Sequence, residues 1–279
     1  MKLTTIFFSM AATCLLAACG KGQQPAKPVA NMPISLSKPA KGDKAVYGLA
    51  CMGCTDSVVV MLPNEGGDPV KYNIVEAGRN KQLFGNFEVG DWICILPNEK
   101  DKQKADRVIN LDQLKATWTY RVMPRLRDVT NLSKRQQERI LANMPDSVVE
   151  AYMIPREYGF TLKRMGQATS VGHLIQSDAV EDDSPVEYPE VPHYTEWHAY
   201  NGKLILVKGP RDEREAASNK QITKDTLTFV YMKDDSLALR TKKGDIIGFH
   251  KKKDAHSANA AAQAAADKQA NKLKNELKK

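Results

Sequence analysis

The chain has 279 residues, of which 42% are hydrophobic and 27% are charged, and its formal net charge is +8. This composition is typical of a folded soluble protein and argues against a chain that cannot bury a core. The length allows one or two domains.

The first 18 residues have the pattern of a secretory signal. One charged residue, Lys2, precedes an apolar run from Ile6 to Leu16, and small residues stand directly before Cys19. The run is shorter than the roughly 20 residues that a membrane-spanning helix needs. We therefore predict a signal peptide at 1–18, whose removal takes away Lys2 and lowers the net charge to +7.

The sequence Leu16-Ala17-Ala18-Cys19 resembles the lipobox of bacterial lipoproteins, residue for residue. The resemblance implies cleavage before Cys19, diacylation of its sulfur and acylation of the new amino terminus. Residues 20–24 carry no acidic side chain, and in this they are similar to lipoproteins of the outer membrane that face the periplasm. The expected cofactor is therefore the covalent lipid on Cys19 alone. The expected partners are the membrane and envelope proteins, and nucleic acid is not expected for an exported protein.

A polar segment follows the lipobox. Residues 19–43 contain four prolines and few large apolar side chains, so they cannot bury a core of their own. Together with the lipidated cysteine they are predicted to form a flexible tether.

From residue 44 onward, short apolar runs alternate with turn residues, which predicts strands. The segment 44–98 is predicted to be a small β-barrel-like domain. Its predicted strands are Ala45–Ala50, Ser57–Leu62, Val70–Glu76, Leu83–Phe87 and Trp92–Leu96. The strongly charged stretch 99–110 is predicted to be a linker between two domains.

Two cysteines of the first domain, Cys51 and Cys54, are separated by two residues. This spacing is compatible with a disulfide across a turn, with two unbonded thiols, with a soft metal ion bound by two thiolates or with redox chemistry. The segment Gly48–Cys54 is similar to the metal-binding loop of heavy-metal-associated domains, but a β-branched run at 57–62 stands where that fold has a helix. A disulfide is therefore favoured, and no metal is assigned. Cys94, inside an apolar strand, is predicted to be a buried free thiol.

Residues 111–252 predict a second β domain with a helical insertion. Its first strand surrounds Trp118, and a helical hairpin follows at 133–153 with Ser133 and Gln136 as a capping box. Hairpin turns then join seven further strands. These are Tyr158–Arg164, Ala168–Ile175, Tyr194–Tyr200, Lys203–Lys208, Thr226–Met232, Ser236–Thr241 and Ile246–Lys251.

Eight strands joined mostly by hairpins predict an up-and-down barrel. One of the connections is Asn201-Gly202, which suits a two-residue turn whose central residues need positive φ. The remaining residues, 253–279, are rich in alanine and lysine and predict a helical or disordered basic tail.

Three segments of this barrel resemble the lipocalin-like domains of exported lipoproteins from Bacteroidetes-type bacteria. They are Leu114–Tyr120 at the first strand, Tyr158–Ser170 at the second hairpin and Lys233–Leu239 near the end. Lipocalins usually have a glycine close to the tryptophan of the first segment, where this chain has Ala116. The resemblance implies an all-β fold in which Trp118 packs across the closed end of the barrel. The helical hairpin is similar to the lid of fatty-acid-binding proteins.

Motifs for catalysis are missing from the sequence. It has no glycine-rich phosphate loop, nucleophile elbow or zinc-protease motif, so no catalytic residue is predicted and an enzyme is not expected. His193, Glu196 and His198 are close in sequence, but on a strand His193 and His198 would point to opposite faces. No metal site is therefore predicted there.

The sequence as a whole predicts an all-β lipoprotein, lipid-anchored in the outer membrane and facing the periplasm. Its lipocalin-like barrel would bind a small apolar or amphipathic ligand. The alternative is a non-enzymatic envelope scaffold that offers a protein-interaction surface without a ligand pocket.

Overall fold

The computed structural model describes residues 40–142, 153–173, 184–210, 222–260, 262–264 and 267–268. All of them belong to one compact unit, Pro33–Lys279. The predicted signal peptide, the lipidated Cys19, the second helix of the predicted hairpin (within 143–152) and the end of the basic tail (271–279) lie outside the described residues.

The strands of the first sheet are β1 (Val46–Ala50), β2 (Val58–Pro63), β3 (Val70–Asn73), β4 (Leu83–Phe84), β5 (Trp92–Pro97) and β6 (Ala105–Asn110). The strands of the second sheet are β7 (Thr117–Val122), β9 (Arg156–Leu162), β10 (Ala168–Val171), β12 (Tyr194–Tyr200), β13 (Lys203–Lys208), β14 (Thr223–Lys233), β15 (Ser236–Arg240) and β16 (Ile246–Lys252). The strands β8 (Arg125–Leu126) and β11 (Val186–Glu187) form a separate two-stranded sheet. The helices are α1 (Val75–Arg79), α2 (Leu111–Leu114), α3 (Lys134–Ala142), the 3-10 turn Arg164–Gly166 and α4 (Ala255–Ala258).

The first sheet has the order β3-β2-β1-β5-β6-β4, and its neighbours are antiparallel except for the parallel pair β4–β6. It curls upon itself, because Asn73 at the end of β3 bridges Lys104 just before β6. The inner face of the curled sheet is packed with buried apolar side chains, among them Val59, Met61 and Ile93.

The predicted linker at 99–110 is wrong, because β6 occupies its second half. Val108 and Ile109 of this strand are fully buried, and the strand lies between β5 and β4. The linker was predicted because the segment is strongly charged. Its charged residues, however, lie in the turn before the strand and at exposed positions of the strand, such as Asp106. The predicted strand Val70–Glu76 also ends early, at Asn73, and α1 follows it.

The second sheet is a nearly closed antiparallel barrel with the order β10-β9-β7-β16-β15-β14-β13-β12. Its remaining seam lies between β10 and β12, where Gln167 bridges Glu196 and where the backbone N–H of Tyr194 donates to Ser170 Oγ at 2.7 Å. The predicted eight-stranded up-and-down barrel is therefore confirmed. Asn201 and Gly202 form its β12–β13 turn with φ of 48° and 66°, as the hairpin prediction requires.

The small sheet closes one end of the barrel, and the two share a core. Tyr47, Phe84 and Cys94 of the small sheet belong to the same buried cluster as Trp118 and Phe229 of the barrel. Two hydrogen bonds fix the joint at the barrel's turns: Arg107 Nη1 donates to Gly202 O at 2.8 Å, and the backbone N–H of Gly85 donates to Met232 O at 3.0 Å. The end at the β12–β13 turn is therefore covered by protein.

The first helix of the predicted hairpin is present as α3. Ser133 and Gln136 exchange the expected capping-box hydrogen bonds, and Ile140 is the helix residue that is fully buried. Within the described ranges, none of the helices combines the length and apolarity needed to cross a bilayer.

Candidate ligand-binding site

A cavity of about 300 Å³ lies inside the barrel at the end away from the small sheet. Its walls include the beginning of β12, β14 and β16 and the turn between β15 and β16, which all lie at the end opposite the β12–β13 turn. The lining residues are Tyr120, Tyr158, Gly159, Phe160, Pro192, Tyr194, Lys224, Asp225, Thr226, Leu227, Thr241, Lys242, Lys243, Asp245, Ile247 and Phe249.

Aromatic rings form one side and the floor of this cavity. The ring of Phe160 lies 5.2 Å from that of Phe249 and 6.2 Å from that of Tyr194, and Tyr120 meets Phe249 edge-on at 5.3 Å. Ring pairs at these distances and angles stabilise one another beyond their simple burial. The cavity thus has a wall of aromatic rings that pack against one another.

The strand register explains why these rings converge. Trp118 lies opposite Phe160, and Tyr120 lies opposite Tyr158, so one face of the β7–β9 pair is aromatic. Side chains two residues apart share a face of a strand, which points this set into the barrel. Gly159, between Tyr158 and Phe160, has no room for a side chain, because a Cβ there would lie 1.9 Å from Trp118 O.

A carboxylate, Asp225, stands on the opposite wall. Tyr194 donates its phenolic hydrogen to Asp225 Oδ2 at 2.8 Å, and Lys208 Nζ lies 2.8 Å from Oδ1. Burial and then the nearby carboxylate raise the pKa of Tyr194, so its hydroxyl stays protonated and remains a donor. Asp225 therefore already has a cation and a hydrogen-bond donor as partners.

The turn between β15 and β16 completes the rim. The backbone N–H of Thr241 donates to Asp245 O at 2.8 Å and closes the turn. The side-chain oxygen of Thr241 is buried and has no hydrogen-bond partner in the part of the chain that the structure describes, while Lys242 and Lys243 are exposed and border the cavity. A buried hydroxyl without a partner costs free energy.

The barrel-closing residue predicted from the sequence, Trp118, is fully buried in the shared core. Its indole N–H donates to Leu114 O at 2.8 Å, which satisfies the one polar atom of the side chain. It does not line the cavity.

The cysteines lie away from the cavity. Cys51 and Cys54 are half-buried free thiols in the turn between β1 and β2, and Cys54 Sγ lies 3.2 Å from Cys51 O. Cys94 is a free thiol that is fully buried. Burial, followed by the nearby carboxylate of Asp43, raises its pKa to about 12.

The predicted histidine group does not assemble. His193 lies before β12 with Nδ1 3.4 Å from Gly209 O, while His198 is half-buried within the strand. Burial, helped by the charge of Lys224, lowers the pKa of His198. Across the described parts of the chain, no three His, Cys, Asp or Glu side chains come close enough to hold a metal ion.

The cavity residues Tyr194, Asp225 and Thr241 were not singled out from the sequence. Their one sequence signal is their position at the ends of predicted strands, next to residues that alternate toward the interior. Which of these ends meet around one cavity is decided only when the barrel closes.

Comparison with known proteins does not assign this chain to a family. No family model matches the chain, and no curated protein matches it. A solved structure, a lipocalin-like protein from Bacteroides thetaiotaomicron, is 18% identical and matches with a TM-score of 0.26, covering 50% of this chain and 97% of that one. The strand order of the barrel, rather than this likeness, defines the fold.

Proposed function

We propose that this protein is a binding protein, not an enzyme, and that its barrel holds a small amphipathic molecule. The observation that carries the proposal is the aromatic-walled cavity inside a barrel whose other end is covered by the small sheet. Concave, mostly apolar sites with a few polar groups are the usual places where proteins bind small molecules.

The size of the cavity limits the ligand. At about 300 Å³ it stands at the lower end of known ligand pockets. Taking roughly 30 Å³ for each water-sized group, the ligand would place on the order of ten non-hydrogen atoms inside. A chain of about that length or a one- to two-ring compound fits this limit, whereas a whole phospholipid does not.

A substitution that fills the cavity tests the proposal, and the preceding residue of the same strand provides a matched control. Ile247 lines the cavity, whereas Ile246 points outward and is 54% exposed. The test uses residues 20–279, which include every strand and core residue named above, and the neutral two-ring fluorescent probe 1-aminonaphthalene, which is within the size limit. Binding of this probe should weaken by about tenfold or more in Ile247→Trp. The variant Ile246→Trp should bind like the unmodified protein. Equal binding by both variants would place the probe elsewhere and refute the proposal.

Native mass spectrometry addresses the natural ligand. We expect protein purified from its own host under mild conditions to carry an additional small mass. That mass should be absent from the Ile247→Trp variant, because its cavity is filled.

We further propose that the chain is exported and anchored in the outer membrane, facing the periplasm, by lipid on Cys19. The support for this is the sequence Leu16–Cys19 and the apolar run before it. Labelling of cells with a palmitate analogue tests the anchor. The unmodified chain should incorporate the label and sediment with membranes, and Cys19→Ala should do neither.

A second candidate function is the envelope scaffold. It is favoured by an apolar pair on the small sheet, where Leu49 lies opposite Leu62 and both are partly exposed, with the exposed Met52 in the following turn. Cross-linking in cells would test it. Cross-linked partners should disappear in Leu49→Lys with Leu62→Lys and persist in Leu126→Lys, a control at another exposed leucine.

A further inference from the structure

We infer that the ligand of the barrel cavity carries an acidic headgroup, which Lys242 and Lys243 bind at the rim while its apolar part lies against Phe160 and Phe249. The inference rests on the proposed function and narrows it from any small amphiphile to an anionic one. It is carried by the charges at the rim and by the unpartnered hydroxyl of Thr241.

The balance of charges at the rim favours an anion. Two carboxylates line the cavity, and one of them, Asp225, is already engaged by Lys208 and by the hydroxyl of Tyr194. Lys242 and Lys243 have no ion-pair partner among the described residues. The lining thus carries three lysines, Lys224, Lys242 and Lys243, against the two carboxylates Asp225 and Asp245, and Asp225 is already paired with Lys208. This excess of positive charge next to an apolar cavity raises the local concentration of anions and repels cations.

The second observation is the buried oxygen of Thr241. Thr241 is a lining residue directly before the two lysines, and its side-chain oxygen is buried with no hydrogen-bond partner among the described residues. A hydroxyl can donate to an anionic oxygen, and such charge-assisted bonds are stronger than neutral ones. Because this oxygen has almost no accessible surface, a headgroup held by the lysines would satisfy it once a small movement of the turn exposes it to the cavity.

The turn geometry keeps these groups together. Gly244 adopts a φ of +100°, and its N–H donates to Thr241 O at 3.1 Å, so the chain reverses tightly after the lysines. Both lysines therefore stay within three residues of the Thr241 side chain at the cavity rim. The site combines one fixed donor with two adaptable cations.

A series of three competitors with the same ten-carbon chain tests the inference. Decanoate, decan-1-ol and decylamine differ in charge at about pH 7, and each should displace 1-aminonaphthalene to an extent that depends on the charge of its headgroup. We expect decanoate to displace the probe at a concentration about tenfold lower than decan-1-ol, with decylamine the weakest.

Two variants and the salt dependence assign this preference to the rim. The double variant Lys242→Gln with Lys243→Gln should weaken the binding of decanoate about tenfold and change the binding of decan-1-ol by no more than about twofold. The control double variant, Lys203→Gln with Lys233→Gln, removes the same charge from exposed lysines at the opposite end and should leave both unchanged. Raising the salt concentration from about 20 to about 500 mM should weaken the binding of decanoate but not the binding of decan-1-ol.

The possible failures are distinguishable. If no competitor displaces the probe, or the probe does not bind, the proposed function itself is wrong. If decan-1-ol competes as well as decanoate, or if the rim variant keeps the full preference for decanoate, the barrel still binds amphiphiles but the inference about the headgroup is wrong.

Discussion

Arg107 of the small sheet donates a hydrogen bond of 2.8 Å from Nη1 to the carbonyl oxygen of Gly202, in a turn of the barrel. Its Nε and Nη2 atoms both donate to Gln82 Oε1, at 2.9 and 2.6 Å, and its guanidinium lies 5.8 Å from the ring of Phe84. Tyr47 makes a parallel connection by donating to Ala199 O at 3.0 Å. Because these contacts are half-buried or buried, the small sheet and the barrel should unfold as one unit.

The variant Arg107→Ala tests this joint. It removes the donor for Gly202 O and both bonds to Gln82, so the free energy of unfolding should fall by about 2 kcal/mol. Urea denaturation followed by both tryptophan fluorescence and circular dichroism would measure the change. The unmodified protein should give one transition with coincident midpoints by the two probes.

An exposed arginine provides the control. Arg164 lies in an exposed turn, and its side chain makes no ion pair or hydrogen bond with any described residue. Arg164→Ala should therefore change the free energy of unfolding by less than about 0.5 kcal/mol. Two separate transitions in the unmodified protein would contradict the single-unit interpretation.

Thr241→Val should stabilise the ligand-free protein. The side-chain oxygen of Thr241 is buried and finds no hydrogen-bond partner among the residues that the structure describes, and valine has nearly the same shape without the hydroxyl. We expect the free energy of unfolding to rise by about 1 kcal/mol, measured by urea denaturation of protein from which bound small molecules were extracted. Thr169→Val, at an exposed strand position, should leave it almost unchanged. A loss of stability in Thr241→Val would mean that the hydroxyl has a partner in the folded protein.

The three thiols of residues 20–279 should differ in reactivity. Cys51 and Cys54 are half-buried, whereas Cys94 is fully buried and its pKa is raised to about 12. Because the thiolate is the reactive form, an aromatic disulfide reagent should modify two thiols of the reduced native protein at least about a hundredfold faster than the third. The third should react only after unfolding in urea.

Single variants assign the two fast thiols. Cys51→Ser and Cys54→Ser should each leave one fast thiol, and Cys94→Ser should leave two. The same measurement on protein kept oxidised throughout purification tests for a disulfide. If that protein has no fast-reacting thiol, Cys51 and Cys54 form the disulfide that the sequence favoured.

Glu157 links stability to pH. Burial acts to raise its pKa, but hydrogen bonds from Lys252 at 2.8 Å and Thr119 at 2.6 Å outweigh burial, so the pKa is lowered. The carboxylate therefore stabilises the folded state above the ordinary glutamate pKa of about 4.3, and this contribution is lost as the pH falls through the lowered pKa of the folded state. Glu157→Gln should cost up to about 1 kcal/mol near neutral pH.

Urea denaturation at a series of pH values measures this effect. The difference between Glu157→Gln and the unmodified protein should shrink to zero in acid, where the carboxylate of both folded and unfolded chains is protonated. Glu65→Gln, in an exposed turn without a described hydrogen bond, should show no pH-dependent difference. A cost for Glu157→Gln that persists in acid would point to the shape of the side chain and not to its charge.

The sequence by itself determined the eight barrel strands and their turns, because the signals involved are local. The strand-forming runs Tyr194–Tyr200 and Lys203–Lys208 and the Asn201-Gly202 pair between them are signals that act within a few residues. The structure confirms both strands and the turn. The capping box of α3 belongs to the same class, since Ser133 and Gln136 bond to each other within one helical turn.

The tertiary structure alone decided how the small sheet joins the barrel and where the cavity lies. The position of β6 depends on its burial against the rest of the chain, and the hydrogen bond from Arg107 to Gly202 joins residues 95 positions apart. The high charge of 99–110 therefore did not predict the structure of this segment. The cavity likewise depends on how side chains from five barrel strands share one interior, leaving about 300 Å³ unfilled. Volume left between distant residues has no local pattern, because packing is decided by all neighbours at once.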